Sequence, residues 1–271
     1  MIFRRRRAGE QPTPRPLIVP PFAPDPPSPG LVQVQVPPDP VAALAAHGVE
    51  LPGPVTLEEG DGGAPWWATP VQPGYPAAHL WTAVHRVHRH TGLWPLLTAS
   101  GTRSMVVGAP EVPEAGDGAA WLTREAAEIL ADLERGAPVA IEANDPDGFD
   151  WADALAATDT GLDHLVLVPA AAGWLVPGLL GWIGAVNADR LGDVHATLLR
   201  RWAGRWGAEL VALEQAQMTL RVVNPPTDSD GAQEAAVEAA LYCPDAVSED
   251  TPTVEALMAA LCLPLWRFWW D

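Results

Sequence analysis

Leu265-Trp266-Arg267-Phe268-Trp269-Trp270-Asp271 closes the chain, and four of these seven residues are aromatic. Chain ends are ordinarily frayed and polar. A tail this apolar stays in solution only if folding removes it from water, most simply as a strand laid into a sheet. The expectation is therefore that the last residues complete the core, and that losing them opens it.

Working outward, the 271 residues suffice for one large or two modest domains. A hydrophobic content of 48%, with 13 Trp against 4 Phe and 2 Tyr, can fill a substantial core. No apolar run approaches the roughly 20 residues of a membrane span. Arg4, Arg5, Arg6 and Arg7 resemble the basic start of a signal peptide, but Gly, Glu, Gln and Pro follow where an apolar stretch would be needed. The chain reads as cytoplasmic, with no membrane partner.

Charge divides unevenly. Residues 1–30 hold five of the 16 arginines and two of the 34 acids. The remainder, with 11 arginines against 32 acids, repels phosphate backbones and excludes nucleic acid as a partner of the folded body. The Arg4 to Arg7 run reads as a solvated tail. No lysine occurs, which removes P-loop and Schiff-base chemistry. Cys243 and Cys262 form no metal-type spacing and read as reduced structural thiols.

Residues 8–30 are Pro-rich and expected to be disordered. Alternation over 32–36 predicts a strand. Asp39-Pro40 opens a helix that Gly48 ends, and 54–57 forms a strand. Trp66-Trp67 lies in an extended segment bracketed by prolines. Pro76 starts a helix striped by Leu80, Trp81, Val84, Val87 and His88, which Gly92 ends. Strands follow near Trp94 to Leu97 and at 104–107, with a helix over 123–135 capped by Thr123 and a strand at 137–142. Beyond a small-residue boundary at 155–162 come a strand at 164–169 with Trp174-Leu175-Val176 as its hairpin partner and a helix over 191–206. Strands at 209–213 and 219–223, helices at 230–241 and 253–261, and the aromatic strand complete the chain.

This pattern predicts an α+β (mixed α/β) fold: an antiparallel or mixed sheet flanked by helices, the C-terminal aromatic strand buried in it. The expected division is a disordered Pro/Arg-rich tail (1–30), an N-terminal α+β region (31–160) and a C-terminal α+β domain (161–271).

Candidate chemistry is sparse. His85 and His88, three apart, could share a metal, but no HExxH pattern is present, and with Arg86 and Arg89 they read better as a basic helix end matched to the helix dipole. Asp145-Pro146-Asp147-Gly148 and Asp228-Ser229-Asp230-Gly231 both lack the terminal ligands of a calcium loop, and the second reads as a turn and helix cap. Gly178, Gly181 and Gly184 recur every third residue ahead of a helix, where backbone N–H groups could form a lip for a small ligand. Asp245 beside Cys243 argues against a nucleophilic thiol. His195 with Asp193, or His164 with Asp163, could form an acid–base pair. No cofactor is implied.

The chain from about residue 161 resembles a bacterial family known as a domain of unknown function, DUF 4253. The resemblance rests on Leu165-Val166-Leu167-Val168-Pro169, on Arg201-Trp202 with Arg205-Trp206-Gly207-Ala208-Glu209-Leu210, and on Pro225-Pro226. Leu241-Tyr242-Cys243-Pro244-Asp245 and the closing Phe268-Trp269-Trp270-Asp271 complete it, and Thr91-Gly92-Leu93-Trp94-Pro95 resembles what precedes that domain. Where the family implies Gly-Gly-Trp-Asn then Cys-Pro, this chain has Gly184-Ala185-Val186-Asn187 then Ala188-Asp189, so Asn187 matches and the thiol is absent. The resemblance implies a fold and no activity.

No complete catalytic set can be assembled. The first expectation is a non-enzymatic module that binds a protein or a small molecule through Trp182, Asn187, Trp202 and Asp271. The alternative is a small hydrolase or transferase whose site is the loop from Gly178 to Asp189, with Asn187 and Asp189 at the loop and His195 as base.

Overall fold

A computed structural model describes residues 21–27, 31, 34, 36–58, 65–99, 110–129, 150–158, 161–246 and 253–271. Among the described residues seven strands form one mixed sheet in the order β1-β2-β4-β3-β5-β6-β7. They are β1 (Thr56–Glu58), β2 (Trp66–Pro70), β3 (Leu93–Ala99), β4 (Leu162–Pro169), β5 (Ala208–Leu213), β6 (Gln217–Val222) and β7 (Leu265–Trp269). All neighbours are antiparallel except β3 and β5, which run parallel.

The sheet interleaves the two portions of sequence. β4 lies between β2 and β3, and β3 lies between β4 and β5. The small-residue stretch near 160 therefore joins two parts of one core and does not separate two cores. Leu93, Leu96 and Leu97 of β3 and Leu165 and Leu167 of β4 are all 0% exposed, as expected of strands covered on both faces.

Eight helices flank the sheet among the described residues: α1 (Pro40–Ala45), α2 (Tyr75–Thr91), α3 (Gly118–Ile129), α4 (Trp151–Thr158), α5 (Val176–Leu180), α6 (Gly192–Trp206), α7 (Ser229–Tyr242) and α8 (Val254–Leu261). On one face, Trp81 of α2 is fully buried and its indole donates to the Pro95 carbonyl at 2.9 Å, while Arg221 of β6 lies over the Trp151 ring of α4. On the other face, α6 sets Trp202 against β7, stacked on Phe268 at 5.2 Å and edge-on to Trp266 at 5.7 Å.

β7 forms one edge of the sheet, in register with β6 from Gln217↔Trp269 to Arg221↔Leu265. Period-two alternation turns Trp266, Phe268 and Trp270 inward, each at most 2% exposed, and leaves Trp269 43% exposed. Each inward ring contributes about 1.5–3 kcal/mol by leaving water. The apolar tail is thus accounted for by a half-buried edge strand.

Several local expectations are corrected. Residues 31, 34, 36 and 37 are in no strand, and the intervening positions of that expected strand lie outside the described residues, as do the expected strands at 104–107 and 137–142, the Asp145 to Gly148 turn and the Arg4 to Arg7 run. Residues 21–27, expected within a disordered tail, are a strap on the body: the Asp25 carboxylate accepts from the Gly118 and Ala119 amides and from Arg201. α3 accordingly begins at Gly118, not near Thr123, because Asp25 and Asp117 together satisfy its first amides. Trp174-Leu175-Val176 is no hairpin strand. Gly173–Leu175 is a 3-10 turn leading into α5, whose first turn carries Pro177.

Residues 161–271 expressed alone lack β3 and so expose the unpaired edges of β4 and β5. That fragment is expected to show no cooperative urea transition and no dispersed amide spectrum, whereas a sharp transition would show that the C-terminal part folds by itself.

Candidate functional site

Pro95 in a central strand supplies no N–H to a ladder. The β3–β5 pairing is confined to Leu97↔Ala212, and at the level of Pro95 the two strands are bridged by a side chain, Trp94 Nε1 donating to the Leu210 carbonyl at 3.0 Å. The sheet is thus split at that end. Gly173 lets the following loop close over the Trp94 ring, since a Cβ there would sit 2.2 Å from it.

A cleft of about 410 Å³ opens at this split. Its walls are the last turns of α2 (His85, Arg86, His88, Arg89), the turn bearing Trp174, the end of α6 (Leu199, Ala203) and the start of β5 (Ala208, Glu209, Leu210), with Trp94 and Asn224. α2 presents its histidines and arginines there because positions three and four apart share a helix face. His85 stacks on Trp81 at 4.7 Å, and His85 and His88 both meet Trp94 edge-on at 4.9 and 5.0 Å.

Titratable groups in these walls are displaced. Burial, reinforced by His88, Arg221 and Arg89, pushes His85 down to about 4, so it is neutral at pH 7. His88 is lowered by burial, against the opposing effect of its 2.8 Å hydrogen bond to the Ala170 carbonyl. Burial raises Glu209, although Arg221 holds it at 3.0 Å, and His85 Nε2 lies 3.4 Å from its other oxygen. Trp174 Nε1 is shielded from water and meets no acceptor. His85 and His88 therefore have partners of their own, and no group of three or more His, Cys, Asp or Glu among the described residues is placed to hold a metal ion.

The other expected site residues lie elsewhere. His195 is fully buried, its Nδ1 sharing a hydrogen bond with the Tyr242 hydroxyl, and burial pushes it down to about 3. It does not pair with Asp193, whose carboxylate accepts from the Glu114 amide. His164 does bond Asp163, at 2.7 Å on β4, away from the cleft. Asn187 donates to the Asp271 carbonyl at 2.9 Å, and the Asp271 amide donates to Asp245, so both residues tie down the end of β7. Asp189 holds a left-handed turn at φ 55°.

Trp182 and Trp202, expected at a binding surface, are core residues at 2% and 0% exposure, their indoles donating to the Glu214 carbonyl and to Glu238. The glycine lip is closed by protein: a Cβ at Gly178 would meet Pro113 at 2.8 Å, and one at Gly184 would meet the Trp182 ring at 2.2 Å. Their spacing serves packing. Cys243 donates its thiol to the Trp269 carbonyl and is pushed by burial up to about 12, which leaves it inert.

A split mixed sheet with an aromatic and basic cleft at its open end defines the protein structurally. Residues 164–271, the C-terminal part of the chain, match the family described as Domain of unknown function (DUF4253). No curated protein and no solved structure matches the chain. The motifs on which the resemblance rests have structural roles here: Arg201, Trp202 and Arg205 hold Glu238, Tyr242 holds His195, and Cys243 and Asp245 hold the last strand. Glu209 alone among those motif acids enters the cleft wall.

His85 and His195 are refused protons that they accept in the unfolded chain below about pH 6.5. Their contribution to stability is complete above that pH and is lost as pH falls toward 4, at about 1.4 kcal/mol per pH unit for each group. The urea midpoint is expected to drop between pH 7 and 5, and less steeply in His85→Gln; a midpoint independent of pH over that range would contradict the neutral assignments.

Proposed function

We propose that the protein is a cytoplasmic, non-enzymatic binding module that takes a small molecule in the cleft between α2, α6 and β5. The supporting observation is the cleft itself, a concavity of about 410 Å³ with aromatic walls and, among the described residues, cationic side chains without a carboxylate partner. Its lining contains no Ser, Thr, Cys or Lys among the described residues, which removes hydroxyl, thiol and amine nucleophiles and favours binding over turnover. The alternative site, in the loop from Gly178 to Asp189, draws little support, because His195 is sealed from solvent and Asn187 is committed to the chain end. Two buried free thiols agree with a reducing compartment, and no helix among the described residues is long and apolar enough to cross a membrane.

Ala203→Phe fills the cleft from α6 without touching the buried ion pairs. In a thermal-shift survey of small metabolites, one or more compounds is expected to stabilise the wild-type protein, by about 2.7 kcal/mol at a hundredfold excess over Kd. Ala203→Phe should abolish that shift. Stabilisation that survives the substitution, or stabilisation by a protein partner alone, would contradict binding in the cleft.

A further inference from the structure

We propose that the cleft's ligand is a small carboxylic acid, its carboxylate held by Arg86 and Arg89 and its apolar body lying against Trp94, Trp174 and Ala203. This rests on the small-molecule reading above and adds the ligand's chemistry. Arg86 and Arg89 are exposed at the cleft rim, three residues apart on the same face of α2. Among the described residues neither pairs with a carboxylate, whereas Arg190, Arg201, Arg205 and Arg221 each do. With 34 acids against 16 basic residues, acids are not in short supply, so two cations left open beside a cavity are available to an outside anion.

A planar guanidinium fork fits a carboxylate through paired N–H donors. Trp174 adds aromatic surface to the adjacent wall. Trp94, Leu199, Ala203 and Leu210 supply apolar surface beside the polar His85, His88, Glu209 and Asn224. A single negative charge suits this site better than a phosphate dianion. Glu209 stands in the wall, although its charge is offset by Arg221, and the carbonyl end of α2 carries partial negative charge, so each further negative charge on a ligand is opposed.

The test compares benzoate, 2-naphthoate and indole-3-carboxylate with their primary amides, by calorimetry and ligand-observed NMR at low salt. Each carboxylate is expected to bind at least tenfold more tightly than its amide, and the Arg86→Gln/Arg89→Gln double variant should erase that difference. Both arginines are exposed and, among the described residues, without a carboxylate partner, so the variant should keep the wild-type circular dichroism. Amides that bind as tightly as acids, or an acid preference that survives the double variant, would overturn the carboxylate assignment and leave the cleft as a neutral-ligand site. If no carboxylate binds while other metabolites still shift the melting temperature, the assignment again falls and the cleft reading stands. Silence in both panels overturns both.

Discussion

Glu238 is fully buried, and its carboxylate accepts four hydrogen bonds from α6. Oε1 takes Arg201 Nη2 and Arg205 Nη1, both at 2.7 Å, while Oε2 takes Arg201 Nε at 3.0 Å and Trp202 Nε1 at 2.9 Å. A carboxylate taken out of water is tolerable only when its lone pairs are occupied by charged donors. Satisfying it fixes α7 against α6 and locks the Trp202 ring in one orientation, over Phe268 and beside Trp266. Arg201 carries the constraint further, to Asp25 and the Ala23 carbonyl of the N-terminal strap, and Asp25 in turn caps α3. One acid thereby couples two helices, the last strand and a segment more than 170 residues upstream by the Arg201–Asp25 separation.

The cleft follows from a second constraint, at the middle of the sheet. β3 must pair with β4 along its whole length, yet Pro95 and the Trp94 indole interrupt its contact with β5. The strands that flank the split come from different portions of the sequence, and so do the cleft's walls: α2 from before β3, α6 and β5 from the part that matches the family. A site of this kind needs both portions in one core. Its polar groups are held rigidly, because Glu209 and Arg221 face each other across β5 and β6 and His85 is stacked on Trp81.

Much of the fold was legible where local signals agree. The aromatic run of β7, the stripe of α2 ending at Gly92 and the Asp228 cap of α7 all stand where the pattern placed them, and α8 begins one residue past the expected start because Thr253 is its cap. Failures came where a distant residue decides the outcome. Thr123 looked like a cap because Asp25, which caps α3, lies 93 residues from Gly118. Trp174-Leu175-Val176 has the side chains of a strand, and Pro177 turned it helical. The site was less legible still. His85 and His88 stood out, but their neighbour Glu209 comes from β5, a pairing that no spacing reveals. Trp182 and Trp202 were expected to face a ligand because tryptophans are abundant, whereas both anchor the core through their indole N–H groups. A signal did exist for the cleft: a proline inside a strand otherwise fully apolar, Leu93 to Leu97, beside a basic helix end in an acidic chain.

Urea unfolding of Glu238→Gln, read together with amide hydrogen exchange over residues 21–27, tests the buried carboxylate most directly. Glutamine keeps the shape and removes the charge. The expected result is a loss on the order of 3 kcal/mol, since Arg201 and Arg205 keep their charge and lose their common partner, with faster exchange in the strap. A loss below about 1 kcal/mol with the strap's exchange unchanged would show that Glu238 is a replaceable contact and that the helices, the last strand and the strap are held together by packing alone.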